Sequence, residues 1–349
     1  MAVEIFDILL LILPLLIILI GCELFTNGIE WLGLKLGLAE TATGSVLAAV
    51  GTALPETVVP IVAIIFSGPG AGGEIAEGAI LGAPFMLATL AMLVGGIAIL
   101  VAHRKGRRPA NLSVSSEHLS IDVKSFLLAY SLAFAAAILL PGSGDPNHII
   151  RCILAVLLII LYTFYVAKMI KDKSKKCDEP ETLYFIRAFS GSPRRQPSLP
   201  TVLLQVMASL GLIIVGAKIF VSGIETVSTS IGVPYIILAF LIAPIATELP
   251  EKFNSVIWYW RGKDTLALGN ITGAMVFQSS IPVGIGIVFT DWTLDPINIA
   301  SMLFAMAAIS LIYLEMRAYG SLSYKSLMLS GAFYFAYIAL IVIFPSLIA

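Results

Sequence analysis

The sequence predicts an all-α polytopic membrane protein of ten transmembrane helices in two inverted five-helix repeats. Three observations predict it: a composition too apolar for a soluble domain, apolar stretches about twenty residues long that recur along the chain, and a long self-match between its halves. Of 349 residues, 58% are hydrophobic and 12% charged, with a mean hydropathy of +0.98. Soluble domains carry roughly twice that share of charge. The net charge of −1 is uninformative about partners, because in a membrane protein the distribution of Lys and Arg among loops carries the signal. Cys22, Cys152 and Cys177 have no metal-binding spacing, which argues against a disulfide framework or zinc site.

The ten spans are placed at 5–30, 42–66, 76–102, 122–141, 149–170, 200–229, 235–260, 266–289, 296–316 and 325–347. "LIGC" at 19–22 resembles a lipoprotein cleavage box, but "MAVEIFD" before it is acidic where a signal peptide is basic, so the first span is read as a retained helix. Lys and Arg fall in alternate loops: "HRKGRR", the 171–199 segment, "RGKD" and Arg317 to Lys325. The intervening loops "SGPGAGGE", "PGSGDPNH", "VSTSIGVP" and "TDWTLDPIN" contain none. Every loop therefore fits one orientation in the cell membrane, with basic loops cytoplasmic and both termini outside. This divides the chain into a first five-helix repeat (1–170), a cytoplasmic linker (171–199) and a second repeat (200–349). The linker is too short for a core of its own, and "TLYFIRAF" within it is expected to lie on the membrane surface.

A shift of 195 positions lays residues 21–56 on 216–251 without a gap. Gly21, Phe25, Gly28, Ile29, Glu30, Gly37, Ala48, Thr52, Leu54, Pro55 and Glu56 recur as Gly216, Phe220, Gly223, Ile224, Glu225, Gly232, Ala243, Thr247, Leu249, Pro250 and Glu251. Further on, Gly78, Gly82 and Ala83 meet Gly269, Gly273 and Ala274. An odd number of spans per copy means that the second enters the membrane from the opposite side, the plan of many secondary transporters. Pro55 has no N–H for the carbonyl of Gly51, and Pro250 none for Ala246. Carbonyls released at membrane depth must face protein, water or an ion, and Glu56 and Glu251 follow these breaks directly. Acids so placed are costly unless paired or bound to a cation. The small-residue pairs 78/82 and 269/273 permit close helix approach.

"GTALPE" and "ATELPE", each preceded by a helix carrying Gly-Ile-Glu and followed by a Gly-rich helix, resemble the two signature repeats of the calcium/cation antiporter superfamily, which includes sodium/calcium exchangers. The resemblance implies a Ca2+ or similar divalent site at Glu56 and Glu251 completed by Thr52, Thr247 and the carbonyls of Gly51 and Ala246. Ca2+ takes about 6 to 8 oxygens, which two bidentate carboxylates, two hydroxyls and two carbonyls can supply. Transported Ca2+, with Na+ or H+ in exchange, would then be substrates, and no resident cofactor is expected.

Departures from that family pattern bear on coupling. Sodium-driven members carry Ser where this chain has Ala53, Ala83 and Ala274, and polar residues where it has Leu87 and Gln278. The second half instead gathers Glu248, Lys252, Asn270, Thr272, Gln278, Ser279 and Ser280; of these Glu248, Lys252, Asn270, Gln278 and Ser279 are the candidates for ion coupling. Lys252 reads either as a built-in cation beside Glu251 or as the helix partner of Glu248 four residues away. Crowded carboxylates also leave proton coupling open.

Other charged residues have plain readings beside functional ones. Glu30 and Glu225 mark ion entrances or are solvated helix ends; Glu74 and Glu77 attract cations or occupy a wet loop; Glu23 and Lys218 are partners or snorkel separately. His103, His118 and His148 lack ligand spacing. No nucleophile motif, phosphate loop or nucleic-acid patch is present, so an enzyme or a nucleic-acid binder is not expected. The alternatives to an alternating-access antiporter are a passive cation channel and a non-transporting membrane structural protein. The polar-poor third span argues against the channel, and the duplicated Pro-Glu pairs argue against the structural role.

Overall fold

The computed structural model describes residues 5–35, 53–114, 116–140, 145–170, 181–189, 196–232, 234–235, 238–240, 248–262 and 264–344. The chain runs α1 (Ile5–Lys35), α2 (Leu54–Phe66), α3 (Gly73–Met86), α4 (Met92–Arg104), α5 (Ser116–Leu139), α6 (Asp145–Ile170), α7 (Tyr184–Phe189), α8 (Leu199–Ile231), α9 (Leu249–Trp260), α10 (Asp264–Gln278), α11 (Ile281–Phe289), α12 (Pro296–Tyr319) and α13 (Tyr324–Ile343). One short antiparallel ladder pairs β1 (Asn111–Leu112) with β2 (Leu322–Ser323).

Among the described residues, eight helices are long and apolar enough to cross a membrane: Leu11–Lys35, Gly70–Arg104, Ser116–Leu139, Asn147–Met169, Leu199–Ile231, Ala267–Phe289, Pro296–Tyr319 and Tyr324–Ile341. They match eight of the ten expected spans. Of the other two, 42–66 is described over 53–66, and 235–260 chiefly through α9. Both α2 and α9 begin one residue before a proline, Pro55 or Pro250. Proline suits a helix's first turn because its missing N–H is not needed there. The residue before each helix has nearly the same backbone, φ −85°, ψ 9° at Ala53 and φ −84°, ψ 2° at Glu248. The prolines thus start helices at positions 195 apart.

The helices that follow are interrupted at related places too. Between α3 and α4 the backbone widens into a π turn over Leu87–Ala91, where the buried Thr89 hydroxyl donates to the carbonyl of Phe85 at 2.6 Å. Between α10 and α11 the helix breaks at Ser279 and Ser280. Pro282 supplies the cause, having no N–H for the carbonyl of Gln278.

Two apolar cores organise these elements. One gathers side chains of α1, α2, α8 and the first part of α3, including Ile18, Val62, Ile75, Ile213 and Phe220. The other spans α3 through α6 and α9 through α13, with Phe85, Phe126, Ile271, Trp292 and Ile312. Within α3 the division falls between Ala79 and Ile80. α1 packs along α8 through a reciprocal contact. A Cβ added at Gly21 would lie 2.7 Å from Cγ1 of Ile213, and one added at Gly216 would lie 2.8 Å from Cγ1 of Ile18. Ile18 and Ile213 are themselves 195 apart, so each copy offers the same Gly and the same Ile to the other, as in a self-complementary interface. Glycine is required because the opposing backbone is also close.

The described part of the linker, 181–189 and 196–199, is packed against the helices. α7 and its preceding turn dock into the seam between α1 and α8, with Leu183 fully buried and Ile186 nearly so, against Trp31 and Val202. Trp31 Nε1 and Asn27 Nδ2 donate to the carbonyl of Glu181 at 2.8 and 3.2 Å. The N–H groups of Tyr184 and Phe185 donate to Asn27 Oδ1 and Gln205 Oε1 at 3.1 and 2.9 Å. Gln205 Nε2 closes the set by donating to Asn27 Oδ1 at 3.0 Å. Side-chain amides thus satisfy the first N–H groups of a short helix, which has few backbone bonds of its own.

Three of the basic segments meet at one end of the bundle. Arg108 forms a buried bidentate pair with Asp264 at the start of α10, at 2.6 and 2.8 Å, and donates to the carbonyl of Tyr259 at 2.6 Å. The β1–β2 ladder joins the segment after α4 to the one before α13.

Gly21→Ala is expected to destabilise the protein by about 1–3 kcal/mol through overpacking. Ile213→Ala in the same chain should relieve part of this, so the double variant loses less than the sum of the singles. Melting in detergent checks it, and strict additivity would show that the two residues do not press on each other.

Candidate functional site

The site is built around the starts of α2 and α9. Glu56 is the third residue of α2 and is 3% exposed. A carboxylate in a helix's first turn gains from the helix dipole, which offsets part of its burial cost. Ala53, before the helix, is fully buried, and its carbonyl accepts from the Thr57 hydroxyl at 3.2 Å. The corresponding position in the second copy is ionic. Glu248 is fully buried and Lys252 is 8% exposed; Lys252 Nζ lies 2.9 Å from Glu248 Oε2, and the Lys252 N–H donates to the Glu248 carbonyl at 3.1 Å. Lys252 is thus the helix partner of Glu248, while its other reading turns on Glu251, whose side chain lies outside the described residues. Gly51, Thr52, Ala246, Thr247 and the side chain of Glu251 lie outside the described residues. Among the described residues, no group of three or more His, Cys, Asp or Glu side chains converges.

α10 supplies the remaining candidates. Asn270 donates from Nδ2 to Ser255 Oγ of α9 at 3.2 Å, and Ser255 donates to the carbonyl of Ala267 at 3.2 Å, tying the two helices together. Gln278 is 1% exposed, and neither its amide oxygen nor its nitrogen has a hydrogen-bond partner among the described residues. It stands at the end of α10, where Pro282 also frees its main-chain carbonyl. Ser279 and Ser280 are buried beside it, but their hydroxyls turn back to the carbonyl of Val276 at 3.1 and 2.7 Å. Gln278 therefore offers two oxygens to a ligand, and Ser279 is occupied by its own helix. Ala83 and Ala274, the positions lacking Ser, are buried.

Two buried acids escaped the sequence reading. Asp122, 2% exposed on α5, accepts from Thr272 of α10 at 2.6 Å and from Tyr165 of α6 at 3.0 Å. It falls at the edge of the expected fourth span, but α5 begins six residues earlier, which carries it inside the helix. Extending the helix through "SEHLSID" would have found it. Glu77 is buried rather than in a wet loop: its Oε1 accepts from the N–H of Trp292 at 2.9 Å. Trp292 takes the left-handed φ of 48° and is fully enclosed, donating from Nε1 to the carbonyl of Ala133 at 3.2 Å. Glu77 thus holds an unusual turn. Glu23 and Lys218 bind separately, Glu23 accepting from the Tyr184 hydroxyl at 2.7 Å and Lys218 lying 4.7 Å over the Phe66 ring. His103 and His148 contact Arg108 and Cys152.

Apolar helices of spanning length, with buried carboxylates at the starts of short proline-led helices, define an integral membrane protein. The model of the sodium/calcium exchanger protein family matches residues 6–171 and 201–344, and the chain belongs to that family of ion exchangers. The gap between the two matched stretches, 172–200, falls on the linker. Among curated relatives, the inner membrane protein YrbG of Escherichia coli (strain K12) is 22% identical over 304 residues, covering 87% of this chain and 86% of the relative. The sodium/calcium exchanger MaX1 of Methanosarcina acetivorans is 23% identical over 324 residues, covering 88% and 89%. Among solved structures, the H+/Ca2+ exchanger CAX superposes with a TM-score of 0.76 at 15% identity, covering 96% of this chain and 82% of that one. The sodium-calcium exchanger NCX_Mj, soaked with Na+ and Ca2+, gives 0.60 at 19%, covering 97% and 99%. At such identities the structures establish a shared fold.

Removing the cation from a buried ion pair strands its partner. Lys252→Met is therefore expected to lower stability by about 3–5 kcal/mol, whereas Glu248→Gln with Lys252→Met should recover much of the loss. Chemical denaturation of the purified variants measures both. Gln278→Leu should be neutral or stabilising by about 1–3 kcal/mol, because it deletes buried polar groups; a large loss of stability would show that the amide is structurally bonded.

Proposed function

We propose that the protein is a secondary-active antiporter that exchanges Ca2+ or a similar divalent cation for Na+ or H+ by alternating access. The observation that carries this is the pair of helix starts at Leu54 and Leu249, 195 residues apart, each with proline second and glutamate third, and with Glu56 nearly fully buried. Exchange of cations is also what the names of MaX1, CAX and NCX_Mj state of those proteins.

In this reading Glu56 and Glu251 hold the divalent ion, with Thr52, Thr247 and the carbonyls of Gly51 and Ala246 completing its oxygen shell. The positive ends of α2 and α9 favour an anion in the first turn, and two carboxylates match a divalent charge. Gln278 adds amide and main-chain oxygen at the second copy's helix break. Asn270 positions α9 against α10 through Ser255. The Glu248–Lys252 pair neutralises itself, so it adds no net charge for a further cation to balance. That leaves fewer free anionic ligands for several Na+ ions than a site with two extra acids would have, and it favours a low counter-ion number.

The ten-helix inverted-repeat plan belongs to the same proposal. Its support is the reciprocal Gly21–Ile213 and Gly216–Ile18 contact, which a two-fold relation between copies produces. Meeting of the basic segments at one end supports placing them on the cytoplasmic side of the cell membrane.

The test is calcium-45 uptake into proteoliposomes under imposed Na+, H+ or K+ gradients, with Glu56→Gln and Glu251→Gln compared with the unmodified protein. Accumulation against the Ca2+ gradient, driven by one counter-ion and abolished in both variants, is expected. Equilibration without accumulation would identify a passive channel, and normal transport by both variants would place the site elsewhere. Exchange of three Na+ for one Ca2+ moves one net charge, worth about 2.3 kcal/mol per 100 mV. An imposed potential therefore separates that coupling from electroneutral exchange with two protons.

A further inference from the structure

A cleft of about 540 Å³ opens between α5 and α6, lined by Ser116, Ser120, Lys124, Leu161, Phe164 and Lys168, among others. None of these residues belongs to the cation site. Two lysines converge from different helices, and among the described residues neither has an acidic partner; Lys124 instead lies 6.0 Å over the ring of Tyr313 on α12. Ser116 and Ser120 come from the first turns of α5, whose leading N–H groups add positive character. Glu117 is the single carboxylate of the lining and stands exposed at the rim.

The setting of the cleft identifies its occupant. α6 is a peripheral helix whose apolar side chains face outward, with Ile149, Ile153 and Phe164 all more than 60% exposed. Phe164 and Leu161 border the cleft on that side, so it opens toward the apolar surroundings of the helix bundle. α5 follows the basic "HRKGRR" segment and α6 ends where the "KDKSKK" linker begins, which puts the cleft at the end of the molecule where Lys and Arg concentrate. Lysines at a span's end reach toward the headgroup layer, and the cytoplasmic leaflet holds the anionic lipids. A free anion would gain nothing from the apolar wall, whereas an acyl chain lies along it.

We propose that this cleft binds the phosphate headgroup of an anionic phospholipid between Lys124 and Lys168, with an acyl chain along Leu161 and Phe164. The hydroxyls of Ser116 and Ser120 donate to the phosphate oxygens. Through the wall the cleft reaches Tyr165, whose hydroxyl donates to Asp122, which in turn accepts from Thr272 of α10. The occupant therefore lies two hydrogen bonds from the helix that carries Asn270 and Gln278.

The full-length protein, reconstituted in nanodiscs of phosphatidylcholine with a minority of phosphatidylglycerol, is released and its retained lipid counted by native mass spectrometry. Retention of phosphatidylglycerol in excess of its share is expected, falling by roughly fivefold for each lysine removed in Lys124→Gln and Lys168→Gln. Lys124→Arg with Lys168→Arg keeps both charges and should retain the lipid. Equal retention by the unmodified and Gln proteins would overturn the proposal, as would loss in the Arg variant as large as in the Gln variant, which would trace the effect to packing. Displacement of the lipid by millimolar inorganic phosphate would assign the cleft to a soluble anion and overturn the lipid assignment.

Discussion

Where a helix begins inside a protein, its first N–H groups have no partner within the helix, and the surroundings must supply one or tolerate the deficit. α2 and α9 both begin in the interior, and much of this structure follows from how their starts are managed. A proline in the first turn removes one donor, and a glutamate one residue later turns the remaining positive field to use. Glu56 can be nearly fully buried for this reason. The second copy adds Lys252 beneath Glu248, so the same helix start holds an ion pair where the first copy has the Thr57 hydroxyl on the Ala53 carbonyl.

The closing helices follow the same logic with different chemistry. Neither α3–α4 nor α10–α11 runs as an unbroken helix, and each is disturbed at corresponding positions, near Leu87 and near Gln278. In the first copy the disturbance is a widened turn filled by apolar groups and by Thr89. In the second it exposes an amide and a carbonyl. The two copies thus share this interruption and differ in the polarity of the residues at it.

Much of the fold was legible because it is dictated by the medium. Twenty-residue apolar runs have few alternatives in a bilayer, and the self-match between halves announced matching helix boundaries before any were seen. Pro55 and Pro250 were recognised as breaks, and each stands in the first turn of a described helix, α2 or α9. The site was legible only where charge is rare. Glu56, Glu248 and Lys252 stand out in apolar segments, whereas Asp122 and Glu77 lie close enough to span edges to pass for solvated residues. Their burial comes from partners more than a hundred residues away, Thr272 for Asp122 and Trp292 for Glu77, and no local pattern encodes such contacts. The docking of α7 was hidden for the same reason. "TLYFIRAF" has the composition of a surface helix, but Asn27 and Gln205 present amides at the spacing that its leading N–H groups require.

The crossing of α1 and α8 also governs how the chain can change over evolutionary time. Because Gly21 receives Ile213 and Gly216 receives Ile18, each half is simultaneously mould and cast for the other. A larger residue at either glycine needs a smaller one at the facing isoleucine, so these four positions constrain one another in pairs. The α1–α8 crossing places no such demand on Ala53 and Thr57, whose counterparts 195 residues further on are Glu248 and Lys252. The reciprocal contact fixes where the halves must agree in size, and their difference in charge lies away from it, at the starts of α2 and α9.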